Sequence, residues 1–448
     1  MPNLIGEQAV VIGAGMGGLT AAAALSDFFA KVIILERDDL PPEVAGRPGV
    51  PQGRHPHALL AGGQQALEDL FPGFSDDLAA AGAVRFSAGL DVRVDRPGYD
   101  PFPQRDVGLI VYAMSRPLLE FVVRQHATRR DNIELHANCD VREIIATEDG
   151  TAVKAVRFRN GDGDTETLAA DLVVDASGRG MPALNFLQAN GHALPPESAI
   201  GVDARYSTGI FAIPENAPSD WKSMMQLPDP RVDSHGALLQ PIEGGRWIVV
   251  VTALHGDAPP VDMAGFIDWA RTLRTPTIYN ALRDAEPLGE IARFAFPGSV
   301  RRHFDRLPAF PRGLLPVADA VCRFNPVFGQ GMSVAAQEAR TLKHLLRMSA
   351  ARPDPLAELA PAFFAALEIV IDTPWSMVST DFAWAQTRGE RPADFEGTMK
   401  FGAALVSLAA REPSIHKLMS EVQHLVKPRD VYREPAFARL IQVEMEAT

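Results

Sequence analysis

Gly13, Gly15 and Gly18 stand in the run "VVIGAGMGGLT", a G-x-G-x-x-G pattern between an apolar stretch and an alanine-rich one. Such a turn at the start of a helix offers free backbone N–H groups and the positive end of the helix dipole to an anion. Gly13 permits the tight turn, Gly15 lets a pyrophosphate approach the backbone, and Gly18 lets helix and strand pack closely. Ala14, Met16 and Gly17 complete the loop. Glu36 closes the next apolar run, "KVIILE", with Arg37 after it. A carboxylate there can accept hydrogen bonds from a ribose diol and repels a 2′-phosphate. The chemistry is dinucleotide binding, with a merely structural glycine turn as the alternative. This motif does not separate NAD from FAD.

A second stretch, "DAVCRFNPVFGQGMS", runs from Asp319 to Ser333. Between Pro326 and Gly331 it has no cation, so a second phosphate is a poor fit. FAD is long enough to need a distant second contact, for its ribitol chain and its ring. Asp319, expected at a strand end, can accept from ribitol hydroxyls. Backbone N–H groups near Gly329, Gln330, Gly331 and Met332 can face the ring edge that becomes negative when flavin is reduced. Glycines suit a flat ring lying on backbone, which leaves no space for a Cβ. A loop that only caps a helix is the alternative. Arg116 precedes Pro117 at an expected helix N-terminus, where a cation opposes the dipole and a partner is expected. "QGRHPHALL" places Arg54, His55 and His57 in a loop before a helix. Neither carboxylate nor cysteine lies close in sequence, so a metal is not expected there.

These residues need a scaffold. Residues 8–36 read as strand, glycine turn, helix and strand, and "DLVVDASG" and "GLLPVAD" read as further buried strands, the latter ending at Asp319. Residues 199–254 alternate in strand fashion, with Gly244-Gly245 as a hairpin turn. From about Asp354 the pattern is helical, broken by Pro374, Pro392, Pro413 and Pro428. The expected fold is α/β: a Rossmann-like FAD-binding domain (1–198 and 288–350) interleaved with a mostly antiparallel substrate sheet (199–287), followed by C-terminal helices (351–448).

At 448 residues, 46% apolar and 22% charged, the chain is composed like an ordinary globular protein. Its net charge of −13 is spread along the sequence, which argues against nucleic acid. The opening residues carry no basic region followed by a long apolar run, so no secretory signal is expected. No continuous apolar run reaches the length of a bilayer crossing, so no membrane span is expected. Two cysteines, Cys139 and Cys322, read as reduced thiols of a cytoplasmic protein.

With "GVPQGRHPHALLAGG", "DLVVDASGRG" and "ADAVCRFNPVFGQG" in hand, the chain resembles the FAD-dependent aromatic hydroxylase-type monooxygenases of p-hydroxybenzoate hydroxylase fold. Within that group it is most similar to polyether epoxidases and relatives of squalene epoxidase, over residues 8 to about 347. The group's second fingerprint, G-D-A-A-H-x-x-x-P-x-x-G-x-G, is met with Ala318 for the first glycine and Cys322 for the histidine. The resemblance implies Asp319 as the ribitol contact, Gly329 and Gly331 beside the pyrimidine edge, and Arg116 and Arg54 near the cofactor. His55 and His57 either neighbour the flavin or serve as loop and cap residues that fix the helix start, and the backbone of Val141 meets adenine. It implies insertion of one oxygen atom from O2 into an apolar or aromatic small molecule, and no side-chain base is required. Phe211, Met224, Met225, Leu239 and Trp247 are expected either to line the substrate space or to be ordinary core. Many one-component hydroxylases have Asp-Gly where this chain has Asp175-Ala-Ser-Gly. NAD(P)H is therefore expected as electron donor either directly or through a separate flavin reductase. A flavin halogenase would carry W-x-W-x-I-P, a spacing that the five tryptophans never form. A prenyl reductase would bind FAD similarly but saturate alkenes. A non-enzymatic nucleotide-binding scaffold, working through its C-terminal helices, would need no redox chemistry at all.

Overall fold

The computed structural model describes residues 4–447. Met1 to Asn3, part of the opening stretch read for a secretory signal, lie outside the described residues, as does Thr448. Five parallel strands form the first sheet, in the order Leu314–Pro316, Leu172–Asp175, Gly6–Ile12, Phe29–Leu35, Ile133–His136. Their runs are apolar without alternation because both faces are covered, and Val10, Val11, Ile34, Val173 and Val174 are fully buried. The helix Met16–Leu25 leaves the first strand through the glycine turn and packs on the long helix Gly331–Ser349.

The second sheet has eight strands. Seven follow the order Cys322–Arg323, Ala292–Arg302, Glu197–Ala212, Arg246–Ala253, Gly236–Ile242, Ser223–Gln226, Val92–Asp95, and Arg388–Gly389 pairs beside Glu197–Ala212. All pairings are antiparallel except that of Val92–Asp95 with Ser223–Gln226. Glu243, Gly244 and Gly245 form the three-residue hairpin loop between paired Ile242 and Arg246, and the two glycines take φ of 76° and 65°.

Side chains alternate across this sheet, so parity decides what each residue faces. Phe211, Met224, Leu239 and Trp247 pack with Phe266, Ile278 and Leu282 from the helices Met263–Thr272 and Thr277–Leu282. These four therefore back the sheet and do not line a space toward the first sheet. The opposite parity, including Tyr206, Leu238, Val250 and Phe294, joins the main core with the glycine-turn helix. Met225 pairs with Leu238 and has the inward parity.

Two further expectations are corrected. The strand before Asp319 ends at Pro316. Val317 still donates to the Asp175 carbonyl at 3.0 Å, but Ala318 then turns into the left-handed region with φ 53°, so Asp319 sits in a tight helical turn. Pro374 does not break its helix, which runs Leu359–Val378 with the proline inside and ends within a turn of it. Among the described residues one helix, Leu359–Ala383, is long and apolar enough to cross a membrane by length and composition. Its Phe363, Phe364, Leu367 and Ile371 are buried in the main core.

Candidate cofactor site

The first glycine turn meets the Ala318–Asp319 turn. A Cβ on Gly17 would fall 2.7 Å from the Ala318 Cβ, and one on Gly178 3.8 Å from the Asp319 Cβ. "GAGMGG", "DASG" and the Asp319 turn thus line one cleft at the carboxyl ends of the parallel strands, where ligands of open α/β sheets bind. Gly13 has φ 100°, and a Cβ there would lie 2.8 Å from the Ala176 carbonyl oxygen. Gly18 touches the Gly13 carbonyl so closely that a Cβ would sit 1.8 Å from its oxygen. Gly15 and Gly331 behave differently, since a Cβ on either would meet nothing within 4 Å. Both backbones face open space.

Asp319 is partly exposed. Burial raises its pKa, and the guanidinium groups of Arg323, Arg116, Arg179 and Arg302 pull the other way. Behind it, Glu338 of the long helix accepts the Ala318 N–H through Oε2 at 2.6 Å. Its Oε1 is buried without a partner, and desolvation pushes its pKa up to about 8.

Glu36 is buried at the end of its strand, where Oε2 accepts the Ala14 N–H at 2.7 Å and Oε1 the Asp38 N–H at 3.0 Å. Arg47, which sequence reasoning missed, lies 3.0 Å from Glu36, 2.9 Å from Asp38 and 2.6 Å from Glu120. Arg116 in turn pairs with Glu120 at 3.3 Å, which supplies the partner expected for it, and its Nε is buried and unbonded. A buried chain of alternating charge thus runs Glu36–Arg47–Glu120–Arg116 along the cleft. Nothing in the Pro- and Gly-rich run around Arg47 marks it for this place.

The other sequence-derived residues divide. His55 is buried, with Nδ1 2.7 Å from Thr208 Oγ1 on the second sheet. Desolvation lowers its pKa to about 4 and that of His57 to about 3, so both are neutral at physiological pH. Arg116 is among the charges acting on His57, and its stem is 4.0 Å from where a Gly53 Cβ would be. The 52–57 loop therefore borders the cleft. Arg54 and Arg37 are exposed. Val141 lies two residues beyond Cys139, whose N–H donates to the Glu36 carbonyl. Pro326 begins a short turn that ends at Gly329, φ 65°, and Gln330 and Met332 are buried.

An extended dinucleotide fits these residues. The cradle at Gly15 is open and the second backbone at Gly331 is open. The buried Arg116 Nε and Gln330 Oε1 are left without partners. The fold and the glycine turn of residues 13–18 define a dinucleotide-binding protein.

Comparison with known proteins agrees. Residues 8–184 match the FAD dependent oxidoreductase family. The chain is 33% identical over 362 residues to Protein Rv3254 of Mycobacterium tuberculosis, covering 79% of this chain and 76% of that one. It belongs to this FAD-dependent oxidoreductase family. It is also 29% identical to squalene monooxygenase 1,1 of Brassica napus over 75% of this chain, and spans 62% of that protein's length. Among solved structures, p-nitrophenol 4-monooxygenase PnpA from Pseudomonas putida aligns with TM-score 0.65 at 16% identity over 95% of this chain and 99% of that one. The flavin-dependent brominase Bmp2 aligns with TM-score 0.67 at 16% identity over 99% and 100%. The fold is that of the FAD-dependent monooxygenases and halogenases.

Proposed function

We propose that the protein is an FAD-dependent monooxygenase that transfers one atom of O2 to an uncharged apolar or aromatic small molecule. The observation that supports this reading is the contact of the first glycine turn with the Ala318–Asp319 turn, with Gly15 and Gly331 each facing open space. Gly13 to Gly18 would hold the pyrophosphate, and Glu36 the adenosine ribose, beside Val141. Asp319 would hold the ribitol, with Arg54 and Arg116 alongside, and the N–H groups of Gly329 to Met332 the ring edge. When bound, FAD supplies the electron transfer and oxygen activation.

The protein's own part is to bind, orient and exclude water. Tyr206, Thr208, Phe294 and a neutral His55 face inward from the sheet and its neighbouring loop. They are themselves uncharged and offer hydrogen bonds and aromatic surface, which supports an apolar or aromatic substrate. The substrate lobe then centres on residues 199–287. Electrons come from NAD(P)H, directly or by way of a separate flavin reductase. The likeness to a brominase leaves halogenation as the second reading, against which stands the lack of W-x-W-x-I-P.

The cofactor test is Gly331→Ala. Gly331 opens a helix with nothing within 4 Å of a Cβ, so the apoprotein should melt at or slightly above the wild-type temperature. FAD affinity should nevertheless fall at least about tenfold, because the methyl takes the space of the ring. Unchanged affinity would remove the ring from Gly331. The reaction test is stopped-flow reduction of the bound flavin by NADH or NADPH, followed by reoxidation in O2 with and without bromide. Product carrying bromine and no oxygen would overturn the monooxygenase reading.

A further inference from the structure

Asn325 immediately precedes Pro326 and is fully buried. Its side-chain oxygen accepts the Tyr206 hydroxyl at 2.7 Å and the Val327 N–H at 3.3 Å. Its side-chain nitrogen donates to Asp381 Oδ2 at 3.0 Å, and its backbone N–H donates to Ser299 Oγ at 2.9 Å. The amide is thus held on both sides, and its orientation is fixed. Asp381, 2% exposed, lies just past the C-terminal-region helix Leu359–Val378 and forms no ion pair among the described residues. Four residues earlier, Met377 Sδ accepts from Gln330 Nε2 at 2.8 Å. The loop meant for the flavin ring is therefore clasped at both ends, at Asn325 and Gln330, by one short segment of the C-terminal region.

We propose that Met377–Asp381 is a positioning element for the cofactor loop. Asp381 acts through Asn325 to hold Pro326–Gly331 in register with Tyr206 of the substrate sheet. The reasoning is geometric. Asn325 Oδ1 caps the turn Pro326–Phe328, that turn ends at Gly329, and the long helix starts two residues later. Turning the Asn325 amide would take away the acceptor of the Val327 N–H and loosen the turn that leads to the N–H groups of Gly329 to Met332. Asp381 is the acceptor that fixes which way the amide points, because an oxygen facing Asp381 would leave both groups without a donor unless the acid were protonated. The C-terminal region thus forms a third wall of the cofactor site, and the inference rests on the reading that FAD occupies this cleft.

The test uses the full chain, stripped of flavin and titrated with FAD while flavin fluorescence and visible circular dichroism are followed. Asp381→Leu should weaken FAD binding about tenfold and change the dichroism of the bound ring. Asp381→Asn keeps an acceptor for Asn325 and should restore both to near wild type. Tyr206→Phe should weaken binding a few-fold, and its effect should not add to that of Asp381→Leu, since both act through one amide. Wild-type affinity and dichroism in Asp381→Leu would overturn the proposal, and so would Asp381→Asn as impaired as Asp381→Leu. Should Asp381→Leu not fold, Tyr206→Phe and Asp381→Asn decide it. Wild-type protein that takes up no FAD would instead remove the cofactor reading itself.

Discussion

Glu338 makes the strongest test of the physical account of the site. It lies beneath the Ala318–Asp319 turn, 1% exposed, with one oxygen on a backbone N–H and the other unpartnered. Burial, together with the nearby Asp319 carboxyl, raises its pKa from 4.5 to about 8. The folded protein therefore keeps a proton that the unfolded chain has lost. Stability falls as pH rises from the unfolded value through the folded one, and the loss levels off above about 8. At about 1.4 kcal/mol per unit, this one group makes the apoprotein roughly 2–3 kcal/mol less stable at pH 9 than at pH 6. Glu338→Gln keeps an acceptor for the Ala318 N–H and cannot ionise. Urea unfolding of both apoproteins at fixed pH values from 6 to 9 gives the difference curve, in which most other titrations cancel. The variant should gain on the wild type by about 2 kcal/mol or more across that range. A difference independent of pH would refute the argument, because Glu338 would then carry an ordinary pKa or be solvated.

Arg47→Met should be among the most damaging single changes outside the glycine turns. It leaves Glu36, Asp38 and Glu120 buried together without their shared cation, a loss of about 3–5 kcal/mol. A thermal midpoint near that of the wild type would mean the three acids are wetter than the structure has them. Ala318→Gly should act oppositely. A left-handed non-glycine residue costs about 1–2 kcal/mol and the freer unfolded glycine returns about 0.5–1, so a net gain of about 0.5–1 kcal/mol is expected in urea unfolding. The same change should rescue Gly17→Ala, whose methyl otherwise meets the Ala318 Cβ at 2.7 Å.

The Rossmann-like sheet was legible because its strands are short, apolar and bounded by glycine turns, and Gly13, Gly15 and Gly18 occur at the spacing that turn requires. The partnership of residues 13–18 with 319–331 could be argued from the length of the cofactor alone. Which face each substrate-sheet residue takes was not legible. Phe211 and Tyr206 are both buried strand residues, and only pairing register separates the face on the Met263–Leu282 helices from the face on the main core. Pro374 reads as a helix breaker, yet its helix is held in the main core by Phe363, Phe364, Leu367 and Ile371, and that burial offsets the one backbone bond the proline removes. Arg47, Glu338 and Asp381 carry no local signal, because their roles depend on partners 9 to 73, 20 and 56 residues away, brought together only by folding.

The second sheet recruits strands from residues 92–95, 197–253, 292–323 and 388–389, so the polypeptide crosses between the layers repeatedly. No single cut releases the second sheet as a cassette. Grafting a relative's specificity onto this scaffold would mean transplanting four separate segments at once, and the last of them lies just beyond Asp381. Exchange of this whole layer would also disturb the first sheet, since the chain passes repeatedly between the two.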